Sequence, residues 1–233
     1  MADAVLARNS QIVIDVWSDV MCPFCYLGDT LLTQALDDFP HQDDVTVRHH
    51  SYLLMPDVPA GEVVGLDEHL VVQRGVPRAQ AEAANAQLVA RAKSLGLDFR
   101  TDRVIVTQTR AAHRLSHYAA TQGRQQEMVR RLFKAYFTDG LDVNDHAVLA
   151  GLAGDIGLDP HEAMDVLESD AFERELEVDL RQAGDLSITG VPFFVFQGKY
   201  GVSGAQSSEV FRRVLNTTWD EVSATEPQPR TPQ

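Results

Sequence analysis

Both cysteines of the chain fall within four residues, Cys22-Pro23-Phe24-Cys25, and the segments on either side differ in period. Ile12 to Trp17 is short, apolar and rich in β-branched and aromatic residues, as a buried strand is. Leu27, Leu31, Leu32, Ala35 and Leu36 then repeat at helical spacing. Cys22 therefore sits where a strand feeds a helix, with Pro23 at the first helical position, where its missing N–H costs nothing. A thiolate there faces free backbone N–H groups and the positive end of the helix dipole, so its pKa is expected to fall below the usual value of about 8.5. Cys25, three residues on, shares its helical face. That separation suits a disulfide, whose Cα atoms lie about 4.4–6.8 Å apart. Cys22 can attack and Cys25 can resolve.

Two other readings of the pair stay open at this level. The cysteines could be half of a zinc site with His49, His50, His113 or His117, although no second Cys-X-X-Cys or finger-spaced His pair follows. They could also be inert core thiols, which a strand-to-helix junction with Pro23 between them disfavours. No metal site is expected.

Other parts of the chain bound the function. A net charge of −14 argues against nucleic acid and anionic membrane surfaces as partners. No apolar run approaches the ~18 residues of a membrane-spanning helix. Met1 to Ser10 lacks a basic start followed by a long apolar segment, so no signal peptide is expected and the protein is read as cytoplasmic. In that reducing compartment, a lone Cys-X-X-Cys suits catalysis better than a structural bridge.

In chain order, the first helix should end near Phe39-Pro40, and Val45 to Leu54 reads as a second strand with His49 and His50 on opposite faces. Met55 to Gly65 looks like a crossover. From Leu66 to Leu186 no convincing strand is found. Helices are expected over Leu66–Arg74, Pro77–Leu95, Thr109–Thr121 and Arg124–Phe137, from a cap at Asn144 to Ala153, from Pro160, and from a cap at Ser169 or Asp170 to Ala183. A β pattern returns from Val191 to Val202 with a turn at Gln197-Gly198, and a closing helix spans Ser207 to Asn216. The expected fold is α/β, with βαβ and ββα halves separated by an all-helical insertion. The division is 1–56 (first half), 57–186 (insertion), 187–218 (second half) and 219–233 (disordered tail).

A βαβ half and a ββα half with Cys-X-X-Cys opening the first helix resemble the thioredoxin fold. Four phrases extend the likeness: Ser18-Asp19-Val20-Met21-Cys22-Pro23-Phe24-Cys25-Tyr26-Leu27-Gly28, Thr109-Arg110-Ala111-Ala112-His113-Arg114-Leu115, Thr189-Gly190-Val191-Pro192-Phe193-Phe194-Val195 and Val202-Ser203-Gly204-Ala205-Gln206. Together they resemble the FrnE-like cytoplasmic branch of the DsbA family, in order, over roughly Ile12 to Leu215. The resemblance implies a thiol–disulfide oxidoreductase or isomerase with catalytic Cys22 and Cys25. It implies that Pro192 is a cis proline facing the active-site disulfide, and that Pro23, Phe24, Val191 and His113 border the substrate. No cofactor is implied beyond the redox-active disulfide, with glutathione as a candidate co-substrate. The implied partner is a disulfide-containing protein or a small thiol, and homodimers occur among relatives. One departure is Gln108-Thr109, where relatives carry Asn-Thr.

For His113, a satisfied helix histidine is favoured over a partner of the thiolate. For Asp19, a cap on the first helix is favoured over a proton acceptor. The alternative functions are a glutathione-dependent isomerase or transferase of the hydroxychromene-carboxylate isomerase or kappa type, whose members use a serine, and a redox-inactive chaperone-like binding module. The paired cysteines favour redox chemistry over both.

Overall fold

In the computed structural model, residues 12–58, 64–65, 71–72 and 75–224 are described. The expected helix at Leu66–Arg74, the first ten residues and the tail beyond Ala224 lie outside the described residues, apart from positions 71–72.

The central strand is β1 (Ile12–Ser18), in which Ile12, Ile14 and Val16 are buried on one face. It pairs in parallel with β2 (Val45–Ser51), Ile12 opposite Val45 and Ser18 opposite Ser51. On its other side it pairs antiparallel with β5 (Phe193–Phe196), which turns back into β6 (Tyr200–Ser203). The spatial order is β2-β1-β5-β6. Between β5 and β6, Gln197 and Gly198 both have positive φ, 51° and 65°, the twist that matches a tight hairpin.

One face of this sheet is covered by α1 (Pro23–Asp37) and the closing helix α8 (Ser208–Ala224). Leu31, Leu32, Ala35, Phe211 and Leu215 pack there against Ile12, Ile14, Phe194 and Phe196. Helix α8 runs eight residues beyond the expected Asn216, because Thr218, Trp219 and Val222 continue its buried stripe, so residues 219–224, expected to belong to a disordered tail, are helical. On the opposite face, Trp17, Phe193 and Val195 meet Ala183 and Ile188.

Between β2 and β5 come α2 (Arg78–Ser94), α3 (Arg110–Thr121), α4 (Gln125–Lys134), α5 (His146–Asp155), α6 (Pro160–Glu168) and α7 (Glu173–Asp185). The sheet order and the helices inserted between β2 and β5 are those of the βαβ and ββα halves with a helical insertion expected from the sequence. Leu115, Met128, Leu132, Phe133, Tyr136 and Phe137 form the core of the insertion, and Cys22, Cys25 and Leu27 belong to the same cluster. Each such side chain removed from water contributes roughly 1.5–3 kcal/mol, so the insertion and the Cys-Pro-Phe-Cys motif are held by one apolar interior.

Three expectations are corrected. Ile105–Val106 (β4) pairs antiparallel with Val64–Gly65 (β3), a two-residue ladder inside the stretch read as purely helical. Helix α5 is capped by Asp145, whose carboxylate accepts from the N–H groups of Ala147 and Val148; Asn144 lies one residue before. Helix α7 starts only at Glu173, after Phe172 in a left-handed conformation. Ser169 Oγ instead accepts from Ala171 N in the preceding turn.

Three polar fasteners tie the insertion to the sheet half. The Gln125 side-chain amide pairs with both the N–H (3.1 Å) and the carbonyl (2.8 Å) of His49 on the free edge of β2. Arg130 on α4 reaches Asp29 at 3.1 Å and Thr33 at 2.6 Å on α1. Asp179 on α7 accepts from the backbone N–H of Ser51 (2.7 Å) and meets His50 (2.7 Å) and His117 (3.1 Å).

Candidate active site

Cys22 is the N-cap of α1 and Pro23 its first residue. The turn before it is closed by a 3.0 Å bond from Cys22 N to the carbonyl of Asp19, and the first helical bond runs from Cys25 N to the carbonyl of Cys22. Both sulfurs are thiols and nearly enclosed, with Cys22 4% and Cys25 2% exposed. Beside them Phe24 is 47% exposed, so the motif presents an aromatic ring to solvent and keeps its sulfurs recessed.

The largest influence on Cys22 is a hydrogen bond from the Cys25 thiol, which lowers its pKa. Burial opposes it, the backbone N–H groups of Cys25 and Phe24 assist, and the charge of Asp19 opposes; the net direction is down. Burial pushes Cys25 well up, and its hydrogen bond and charge interaction with Cys22 push it further. The pair is thus polarised into a nucleophile and a retained thiol. The neighbouring sulfur outweighs the helix start from which the low pKa is expected on sequence.

The Val191–Pro192 peptide bond is cis. The Cys22 thiol lies 3.5 Å from the carbonyl oxygen of Val191, within donor range for sulfur. Val191 is half-buried and Pro192 buried. Helix α1 crosses this loop at Gly28, where a Cβ would stand 3.0 Å from Cγ of Pro192 and 3.1 Å from Cζ of Phe194. The glycine permits that approach.

Asp19 does not cap α1, which has no side-chain cap at Cys22. Its fully buried carboxylate accepts instead from Met21 N (3.3 Å) and from Leu54 N (2.7 Å), fixing the loop after β2 beside the motif. His113 on α3 approaches the cysteines through Asp19, with Nε2 at 3.4 Å from Oδ1. His50 and His117 turn to Asp179, and His49 lies near Asp29, at 4.0 Å. Among the described residues, no three such side chains gather to hold a metal.

Asp29, Gln125, Arg130 and Asp179 were not singled out from the sequence. Each acts through a partner 76 to 129 positions away, or 101 in the case of Asp29 and Arg130, and such partnerships leave no local pattern. No described helix is long and apolar enough to cross a membrane.

Residues 13–216 match the model of the DSBA-like thioredoxin domain. The crystal structure of a probable DsbA oxidoreductase from Streptomyces coelicolor is 38% identical and superposes with a TM-score of 0.86, covering 95% of this chain and 92% of that one. YwbO of Bacillus subtilis, an uncharacterized protein, is 25% identical over 205 residues, 87% of this chain and 95% of its own length. The cytosolic disulfide reductase DsbM of Pseudomonas aeruginosa, whose structure with GSH is also known, shares the fold at a TM-score of 0.64 and 19% identity, over 90% of this chain and 99% of its own.

Proposed function

The chain belongs to the DsbA-like thioredoxin-domain family, and from that premise we propose that it is a thiol–disulfide oxidoreductase with Cys22 as nucleophile and Cys25 as resolving thiol. The observation that carries this reading is the polarised pair itself: an N-cap sulfur with a lowered pKa, hydrogen-bonded by a second thiol held well above its ordinary value. Cys22 thiolate attacks a substrate disulfide and expels one thiolate. Cys25, deprotonated, then attacks the Cys22 sulfur and expels the second, leaving the Cys22–Cys25 disulfide and two substrate thiols. The reverse sequence donates the disulfide.

Phe24, Pro23 and the Val191–Pro192 segment border the recessed sulfur and are assigned to substrate binding. In this reading the backbone of Val191, whose carbonyl lies 3.5 Å from the Cys22 sulfur, aligns an extended peptide or a small thiol beside Cys22. The reading extends to a cytoplasmic enzyme of the FrnE-like branch that exchanges electrons with a small thiol such as glutathione, by analogy with the cytosolic reductase that shares the fold.

The test is the redox equilibrium of the purified protein across glutathione buffers, with the Cys22–Cys25 disulfide followed by alkylation and mass. A reversible two-electron transition that vanishes in Cys22→Ser is expected. Absence of a reversible disulfide would refute the assignment and turn attention to the isomerase or binding-module alternatives.

A further inference from the structure

Strand β2 lies at the edge of the sheet, and peptide groups on such an edge are open to pairing unless something covers them. Just past β2, Tyr52 N–H bonds the Ser18 carbonyl of β1, so the even-numbered residues face β1 and the odd-numbered ones turn outward. Three of the four outward N–H groups are taken within the chain. Val45 N–H bonds the Gln42 carbonyl, His49 N–H the Gln125 side chain and Ser51 N–H the Asp179 carboxylate. The Gln125 amide thus stands where the peptide of a neighbouring strand would. Among the described residues, nothing takes the N–H or the carbonyl of Val47.

Two cavities adjoin at that residue. One, of about 690 Å³, reaches Arg48 and the end of α3. The other, of about 270 Å³, reaches Asp37 on α1 and Asp43 in the turn before β2. Val47, Gln126 and Arg130 line both. Arg48, Asp37 and Asp43 are exposed, and among the described residues none of them enters an ion pair. The open peptide of β2 therefore lies between unanswered positive charge at one end and unanswered negative charge at the other.

We propose that this edge is a docking site for an extended segment of another polypeptide, which adds beside β2, pairs with the N–H and carbonyl of Val47, and brings an acidic residue to Arg48 and a basic residue to Asp37 and Asp43. In an antiparallel addition, the residue before the one opposite Val47 falls opposite Arg48. The residue two after it falls opposite Val45, on the face that Asp37 and Asp43 border. The segment accordingly reads acidic-X-X-basic. A second copy of β2 paired about Val47 does not fit, because it sets Val45 of one copy opposite His49 of the other, where Gln125 already stands, and it offers Arg48 only Thr46. Val47 is opposite Ile14, toward the start of both strands, whereas the cysteines follow the end of β1. A partner docked here leaves the recess at Cys22 open.

The test titrates a labelled peptide, Thr-Glu-Val-Thr-Lys-Val-Thr, into the full chain, read by fluorescence anisotropy and by amide exchange at Val47. Saturable binding with a Kd below about 1 mM is expected, with slower exchange at Val47. Methylating the nitrogen of the first peptide valine, which would meet the Val47 carbonyl, should weaken binding at least about tenfold, and so should Arg48→Glu. A peptide with lysine in place of its glutamate should bind Arg48→Glu about as tightly as the original binds the wild type, a rescue that a misfolded variant could not show. Absence of saturable binding to the wild type would overturn the proposal, as would binding indifferent to both methylation and the charge exchange. Binding that emerges only after residues 1–11 are deleted would also overturn it, and would give the edge to the chain's own N-terminal segment.

Discussion

His50 is clamped between two carboxylates, with Nδ1 at 2.7 Å from Asp179 and Nε2 at 2.9 Å from Asp15, and its ring is stacked on Trp17 at 4.5 Å. Burial alone would depress its pKa, but hydrogen bonds and charge from the two carboxylates outweigh that and push it from 6.5 up to about 9. A folded value above the unfolded one means that the stabilisation is complete below pH 6.5 and is lost as pH rises through 9. At about 1.36 kcal/mol per pH unit, the gap corresponds to about 3 kcal/mol. The side chain is 19% exposed, so solvent screening removes little of it.

Urea unfolding between pH 6.5 and 9 reads this directly. Cys22 must first be removed, because its depressed pKa acts with the opposite sign in the same window. The comparison is therefore Cys22→Ser/Cys25→Ser with and without His50→Gln. His49, which burial lowers, acts only below pH 6.5 and stays out of the measurement. The parent should lose about 3 kcal/mol across the window, and the His50→Gln protein should be less stable at pH 6.5 with a nearly flat profile. A flat parent, or an equal decline in both proteins, would refute the charged clamp.

Further outcomes follow from the same geometry. Alkylation of Cys22 should proceed well below pH 8 while Cys25 stays protected, and Cys25→Ala should raise the pKa of Cys22, because the Cys25 thiol is the largest influence lowering it; rate against pH with a small alkylating reagent measures both. Gly28→Val should cost about 1–3 kcal/mol through overpacking against Pro192 and Phe194 and slow disulfide exchange, as read by thermal melts and turnover. Gln125→Ala should cost about 1–3 kcal/mol by leaving two backbone groups of His49 unpaired, visible as faster amide exchange at His49.

The Cys-Pro-Phe-Cys motif was legible in sequence because everything that defines it is local. Apolar residues to Trp17, the proline after Cys22 and the three-residue spacing together specify strand, cap and helix. His49 and His50 likewise follow from strand alternation, one facing the helices α1 and α4 and the other α7. What escaped depends on distance or on shortness. The β3–β4 ladder has two residues per strand, too few to show a period. The start of α7 is set by Phe172 in a left-handed conformation, under Arg114, which bonds the carbonyls of Val166, Ser169 and Ala171. No capping residue announces it. Asp19 carries a cap-like spacing, yet its partners are Leu54 and His113, 35 and 94 positions away.

The three fasteners between sheet and insertion govern how the molecule comes apart. A segment spliced between the halves of another fold could in principle melt by itself and leave the remainder standing. Here helix α4 is clasped to β2 through Gln125 and to α1 through Arg130, while α7 is anchored to β2 through Asp179. Detaching the helices would strand the N–H groups of His49 and Ser51 and bare the apolar wall behind Cys22 and Cys25. Denaturation is accordingly expected to be a single cooperative event, with amide protection of the helices and of the sheet lost at the same denaturant concentration. The recess that holds the two sulfurs endures as long as the whole fold does.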